Sequence, residues 1–456
     1  MSGSGAPGNG NGAPHLRRSV NAFELTATGV GIIVGAGIFV LLGLAAAMAG
    51  GAIWIPFLLA AAAAAVTGLS YAELSSMFPS AGASFYYVRQ AFGANPAFMV
   101  GWLMVFANVI SASAVALGFS GYLSSFTVVA LAPVAIALIL VAGVILVIGV
   151  KESVSLGVVF TGIEVLALII AVAVGVRFIG RVDYLEMPLG MAGVLQATTL
   201  VFFAYLGFEQ IASLSEEAKN PARSIPAAIL LAVAITTALY VAVAVTAVSV
   251  LGWQELSRSP APLAEVVRRA TGAHVGVVVG IMALFATANT VLFLLLTSAR
   301  LTYGMAVAGS LPKVLSAVHP RRKTPWLATL ATVVIGVVFV FFGDIEDVAQ
   351  LSNFAIIAAF LLVNAALIYL RYTSPDAPRP FRTPGRLGRM PVTPLLGIGL
   401  SLFMLAQLEA RVLAYGALIA LAGLAVSMLL RRVGLAGDEA LPPRSTARQT
   451  SPGGDS

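Results

Sequence analysis

Apolar residues fill this chain in long runs, and short stretches rich in Arg, Lys, Pro, Gly and Asp separate the runs. A run of 18 or more apolar residues is long enough to cross a bilayer as a helix. Read this way, the pattern predicts twelve spans, at about 22–48, 52–77, 97–124, 132–150, 154–178, 192–215, 226–251, 275–304, 326–343, 348–371, 393–408 and 412–431. Two of them are interrupted by glycine near the middle. Span 1 reads Gly29-Val30-Gly31-Ile32-Ile33-Val34-Gly35-Ala36-Gly37-Ile38-Phe39, and span 6 reads Phe202-Phe203-Ala204-Tyr205-Leu206-Gly207-Phe208-Glu209. Glycine weakens a helix, and in hydrocarbon a broken helix strands its N–H and C=O groups. Such breaks persist only where protein or a cavity receives those groups, and matched broken helices point to a transporter's binding site.

Spans 1 and 6 lie an odd number of spans apart and therefore cross in opposite directions. The parity predicts an all-α membrane protein with a five-plus-five inverted repeat (about 22–178 and 192–371) and two further helices, about 393–431. Of the 26 Lys and Arg, 20 fall on the face that holds both termini. Six (Arg177, Arg181, Arg258, Arg268, Arg269, Arg411) fall on the other. The positive-inside rule makes the termini cytoplasmic in a multi-pass protein of the cell membrane.

Composition removes several classes. Hydrophobic residues make up 59% and charged residues 10%, which overrules the two or three soluble domains that 456 residues suggest. With no cysteine there are no disulfides or thiolate metal sites. The three histidines (His15, His274, His319) fall in predicted tails or loops, which argues against a metal centre or triad in the membrane. No phosphate-loop motif is present, and no cofactor or enzymatic activity is expected. The net charge of +7 is spread among loops, so a nucleic-acid partner is not expected and contact with membrane lipid is. Residues 1–15 and 433–456, rich in Gly, Ser, Pro and polar side chains, are expected to be a disordered N-terminus and a flexible tail flanking a transporter domain at 16–432.

A helix broken at mid-membrane offers free N–H groups at one half-helix end, suited to a carboxylate. The other end offers free carbonyls, suited to an ammonium group. In span 1 the N–H donors are expected at Ala36, Gly37 and Ile38, and the carbonyls at Ile32 and Ile33. In span 6 the carbonyls are expected at Phe203, Ala204 and Leu206. The competing reading is that these glycines merely let helices pack closely.

Several motifs add a resemblance. Gly35-Ala36-Gly37-Ile38-Phe39, Tyr71-Ala72-Glu73-Leu74, Pro79-Ser80-Ala81-Gly82 with Phe85-Tyr86-Tyr87, Phe202 to Glu209, Glu216-Glu217-Ala218-Lys219-Asn220-Pro221 and His319 to Pro325 together resemble the amino acid–polyamine–organocation superfamily. Within it the chain resembles the bacterial permeases similar to cationic amino acid transporters. The resemblance implies a leucine-transporter-type fold, alternating access, and an amino acid or amine substrate. It implies that the backbone from Gly35 to Ile38 holds the substrate carboxylate. Ala36 stands where the family often has a serine, so only backbone donation remains. It also implies an aromatic gate at Phe203, with Phe202 as neighbour, in the stretch that continues through Tyr205 and Gly207.

Charges deep in a span mark ion or proton paths. Glu164 in span 5 and Glu209 after the break in span 6 are the candidates, with hydroxyls of Thr297 and Ser298 expected beside Glu164. By resemblance, Glu209 matches a commonly acidic position, and Glu164 stands where some proton-coupled relatives carry lysine. Each has a competing structural reading, as a carboxyl bonded to loosened backbone or to a neighbouring helix. Glu73, Arg89, Glu216, Glu217, Lys219, Arg223 and Arg300 are expected to form a cytoplasmic closing network or to stand as solvated caps. The aromatics within 80–96 are expected at the headgroups. The function expected is proton-coupled amino acid symport. Exchange, and a transport-inactive amino acid sensor, are the alternatives. The small, uncharged segment Ser111-Ala112-Ser113-Ala114 leans toward a neutral substrate.

Overall fold

The computed structural model describes residues 20–79, 83–149, 154–216, 218–387 and 390–433. The expected disorder of residues 1–15 and all but the first residue of the flexible tail lie outside these, as does Glu217.

In chain order the helices are α1 (Ala22–Ile33), α2 (Gly37–Ala49), α3 (Trp54–Met77), α4 (Ala83–Phe92), α5 (Ala94–Ser124), α6 (Leu131–Ile148), α7 (Val154–Gly175), α8 (Gly190–Val201), α9 (Phe208–Ser213) and α10 (Pro221–Leu251). They continue with α11 (Trp253–Arg258), α12 (Pro262–Thr271), α13 (Ala273–Val307), α14 (Trp326–Val340), α15 (Ile345–Thr373), α16 (Val392–Ala406) and α17 (Ala410–Arg432). Two two-residue strands, β1 (Arg386–Leu387) and β2 (Met390–Pro391), pair antiparallel before α16. Among the described residues nine helices are long and apolar enough to cross a membrane, with α8 and α9 taken as one. The α1–α2 pair, bent by 53°, makes a tenth. The shorter apolar helices α14 and α16 fall where the two remaining spans are expected.

The spans differ in depth of packing. In α5, 89% of the most apolar window is buried, against 22% in α17, so α5 runs through the centre and α17 along the rim. α5 packs along α13 and α15, and α3 along α10. The half-helices α1, α2, α8 and α9 meet between these groups. α1 begins with a capping box: Asn21 Oδ1 accepts from Glu24 N, and Glu24 Oε2 accepts from Asn21 N. Just before it, Val20 pairs in parallel with Ala218, and Lys219 N donates to Val20 O at 3.0 Å.

Two expectations are corrected here. Tyr87 on α4 does not anchor at the headgroups. It is wholly buried and meets Tyr71 of α3 edge-on at 6.1 Å, because α4 lies under the ends of α5 and α15. Glu73 is not held by the cations expected around it. It is fully buried at the end of α3, where Arg371 of α15 binds it with both Nε (2.9 Å) and Nη2. Thr383 N donates to it at 2.7 Å, and Arg379 Nε lies 3.5 Å away. Arg379 also donates to Leu370 O and Ser374 O, closing the C-terminus of α15. Burial lowers the Arg379 pKa, and the Glu73 carboxylate opposes that shift.

Candidate functional site

Both glycine-interrupted segments are broken. α1 ends at Ile33, and α2 begins at Gly37. α8 ends at Val201, a tight turn covers Phe202–Tyr205, Leu206 is extended (ψ 141°), and Gly207 turns left-handed (φ 113°) before α9. The breaks touch each other. A Cβ on Gly37 would stand 2.6 Å from Ala204 Cα, and one on Gly207 would stand 2.6 Å from Ile32 Cγ2. Only glycine allows both approaches, and at Gly207 the positive φ asks for it as well.

Each freed peptide group raises the question of where its hydrogen bond goes. Ala36 N donates to Thr290 Oγ1 on α13 at 3.1 Å. The Tyr240 hydroxyl, buried on α10, donates to Ile33 O at 2.9 Å and to Ala204 O at 3.1 Å, so one group touches both breaks. Leu206 N donates to Phe203 O at 3.2 Å. Glu209 Oε2 accepts from Gly207 N at 2.9 Å. Asn353 Nδ2 on α15 donates to Thr199 O and Leu200 O at the end of α8. Gly37 and Ile38 occupy the first turn of α2, where N–H groups have no partner within the helix.

The expected site residues therefore divide. Ile32, Gly35, Gly37, Ile38, Leu206 and Gly207 stand at the breaks as expected. Ala36, Ile33, Phe203 and Ala204 also stand there, with the N–H or carbonyl in question already engaged. Phe203 is buried in a cluster with Ala36, Leu200 and Val291, and Phe202 meets Phe360 of α15 edge-on at 6.2 Å. The Tyr205 hydroxyl donates to Phe57 O at 2.9 Å.

Glu164 and Glu209 are both buried. Glu164 Oε1 accepts from Asn289 Nδ2 at 3.3 Å. The expected hydroxyl neighbours are corrected. Ser298 Oγ turns away and donates to Val105 O on α5 at 3.1 Å. Thr297 lies eight residues beyond Asn289, roughly 12 Å along α13 at helical rise. Sequence reasoning missed Tyr240, Thr290, Asn289 and Asn353. Each lies on an unbroken helix far away in sequence, and a polar residue in an apolar run was the only signal. A shallow cleft of about 560 Å³, lined by Trp54, Asp183, Tyr184 and Val241 among others, lies apart from the breaks.

Broken apolar helices with side chains dedicated to their ends define a multi-pass membrane protein of the carrier type. The chain belongs to the amino acid permease family, whose profile matches residues 20–427. It is similar to the branched-chain amino acid permease BcaP of Bacillus subtilis, with 32% identity over 420 residues, 87% of this chain and 90% of that protein. The methylthioribose transporter of the same organism is 32% identical over 86% of this chain and 89% of its own length. The vacuolar cationic amino acid transporter 4 of Arabidopsis thaliana is 30% identical over 80% of this chain and 65% of its own length.

Proposed function

We propose that this protein is a secondary transporter that carries a small neutral amino acid by alternating access, coupled to protons. It would work in the cell membrane as twelve spans with a five-plus-five inverted repeat and cytoplasmic termini. The observation that carries this reading is the contact between the breaks: Gly37 against Ala204 and Gly207 against Ile32. A zwitterion between them finds N–H donors at Gly37 and Ile38 for its carboxylate and carbonyls at Ile32 and Leu206 for its ammonium. Ile33 O and Ala204 O each keep a second lone pair beside the Tyr240 hydroxyl.

A neutral side chain is favoured by what lies on α5. Ser111 is bound to Ser352, and Ser113 donates to Gly336 O, so that wall offers small, internally satisfied groups and no charge. The relatives' names cover branched-chain and cationic amino acids and methylthioribose, and the uncharged segment of α5 favours the first.

For coupling, Glu164 is the leading group. Among the described residues a neutral amide alone hydrogen-bonds it, whereas Glu209 already caps the backbone of its own half-helix. The test is uptake by purified protein in liposomes, screened over the twenty amino acids with and without an inward proton gradient. Gradient-driven accumulation of aliphatic amino acids is expected, and Glu164→Gln should flatten its pH dependence more than Glu209→Gln does. Uptake indifferent to pH and membrane potential would refute the coupling. Uptake only into substrate-loaded liposomes would replace symport by exchange.

A further inference from the structure

The last carbonyls of α8 lose their helical partners at the break, and a distant residue takes them up. Asn353 is fully buried on α15, and its Nδ2 donates to Thr199 O at 2.7 Å and to Leu200 O at 3.3 Å. In a continuous α-helix those two carbonyls accept from the N–H groups four residues on, at Phe203 and Ala204. The Asn353 amide therefore competes with helix propagation through the start of the unwound stretch.

The rest of the side chain makes no other hydrogen bond among the described residues. Its Oδ1 is buried and has no partner among the described residues. An acceptor left without a partner in the interior is unfavourable, and leucine at this position would avoid that. The neighbouring Ser352 is committed to α5: it bonds Ser111 Oγ at 2.6 Å and donates to Ala107 O at 3.0 Å. Together the two residues tie α15 to the centre of the bundle on one side and to the severed end of α8 on the other.

We propose that Asn353 is a positioning residue for substrate binding. It is a donor cap, supplied by another helix, that stops α8 at Val201 and keeps the tight turn Phe202–Tyr205 from joining it as α-helix. It acts through the backbone of α8 and touches no substrate. The proposal rests on the transport reading above, in which that stretch supplies the carbonyls that meet an ammonium group.

Two substitutions test it. Asn353→Leu removes donor and acceptor at similar volume, and Asn353→Ala removes both without filling the space. Both are expected to raise KM for uptake at least tenfold with maximal rate within twofold of the parent. Both should also slow amide hydrogen exchange at Phe203 and Ala204 as the helix extends. A parental KM in either variant overturns the proposal, because the donor then does not matter. Altered exchange with unchanged KM overturns it too, because the position of the break then does not govern binding. If neither variant assembles, the parent decides. Phe203 and Ala204 amides should exchange faster than those of Thr199 and Leu200, and the reverse order overturns the proposal. A parent that takes up no amino acid refutes the transport reading instead, and the exchange data still judge the cap.

Discussion

Between α1 and α2 the residues on either side of Gly35 stay in the right-handed helical region, Val34 at φ −64°, ψ −9° and Ala36 at φ −67°, ψ −11°, and the chain bends by 53°. Between α8 and α9 it leaves that region altogether, through the extended Leu206 and the left-handed Gly207. The first break is a kink whose glycines make room. The second is a true unwinding whose glycine makes the turn. Their caps differ accordingly. The kink takes neutral hydroxyls, from Thr290 and Tyr240. The unwound stretch needs an amide and a carboxylate besides Tyr240, because more peptide groups lose their partners there. Two breaks that look alike as glycine patterns thus carry different burdens, and substitutions should separate them.

The largest effect is expected at Gly207. Alanine there adopts a left-handed backbone, which costs about 1–3 kcal/mol, and its Cβ overlaps Ile32. Gly207→Ala should abolish liposome uptake and lower the thermal unfolding midpoint in detergent. A variant with parental uptake would mean that the left-handed turn is dispensable. Gly37→Ala comes next. Its Cβ meets backbone, at 2.6 Å from Ala204 Cα, and backbone cannot swing aside. Overpacking of about 1–3 kcal/mol should appear as lost uptake with a smaller fall in unfolding temperature.

Tyr240→Phe removes the one hydroxyl seen to touch both breaks. It leaves a carbonyl without its donor, at about 1–3 kcal/mol, and is expected to raise KM several-fold while the fold survives. Purely additive effects of Tyr240→Phe and Gly37→Ala in the double variant would show that the breaks are not coupled through it. The smallest effect belongs to Gly35→Ala. Its Cβ would sit 3.2 Å from Thr290 Oγ1, a mild squeeze. The stiffer unfolded chain offsets that by about 0.4–1 kcal/mol, so stability should barely move. A large loss of uptake there would mark the kink as a hinge that needs glycine's freedom.

The breaks themselves were legible, since glycine in an apolar run is a visible anomaly. The span edges were legible too. The predicted edges at 52–77 and 326–343, for example, meet helices Trp54–Met77 and Trp326–Val340. What stayed hidden were the partners. Tyr240, Thr290 and Asn353 are single polar residues in otherwise apolar helices, and nothing local says which carbonyl each will reach. Ser298 illustrates the reverse. It lay on the expected helix beside Glu164, yet helix rotation turned it toward Val105. Glu73 was picked out as part of a motif, but its cations come from the far end of the chain rather than from the neighbouring loops.

That last arrangement bears on how the protein is made. Glu73 is made early in synthesis, while Arg371 and Thr383 lie 298 and 310 residues later. Until the ribosome has delivered them, the growing chain carries an acid whose final partners do not yet exist. Products that stop short of residue 371 therefore hold a bare carboxyl where the finished protein holds a closed cage.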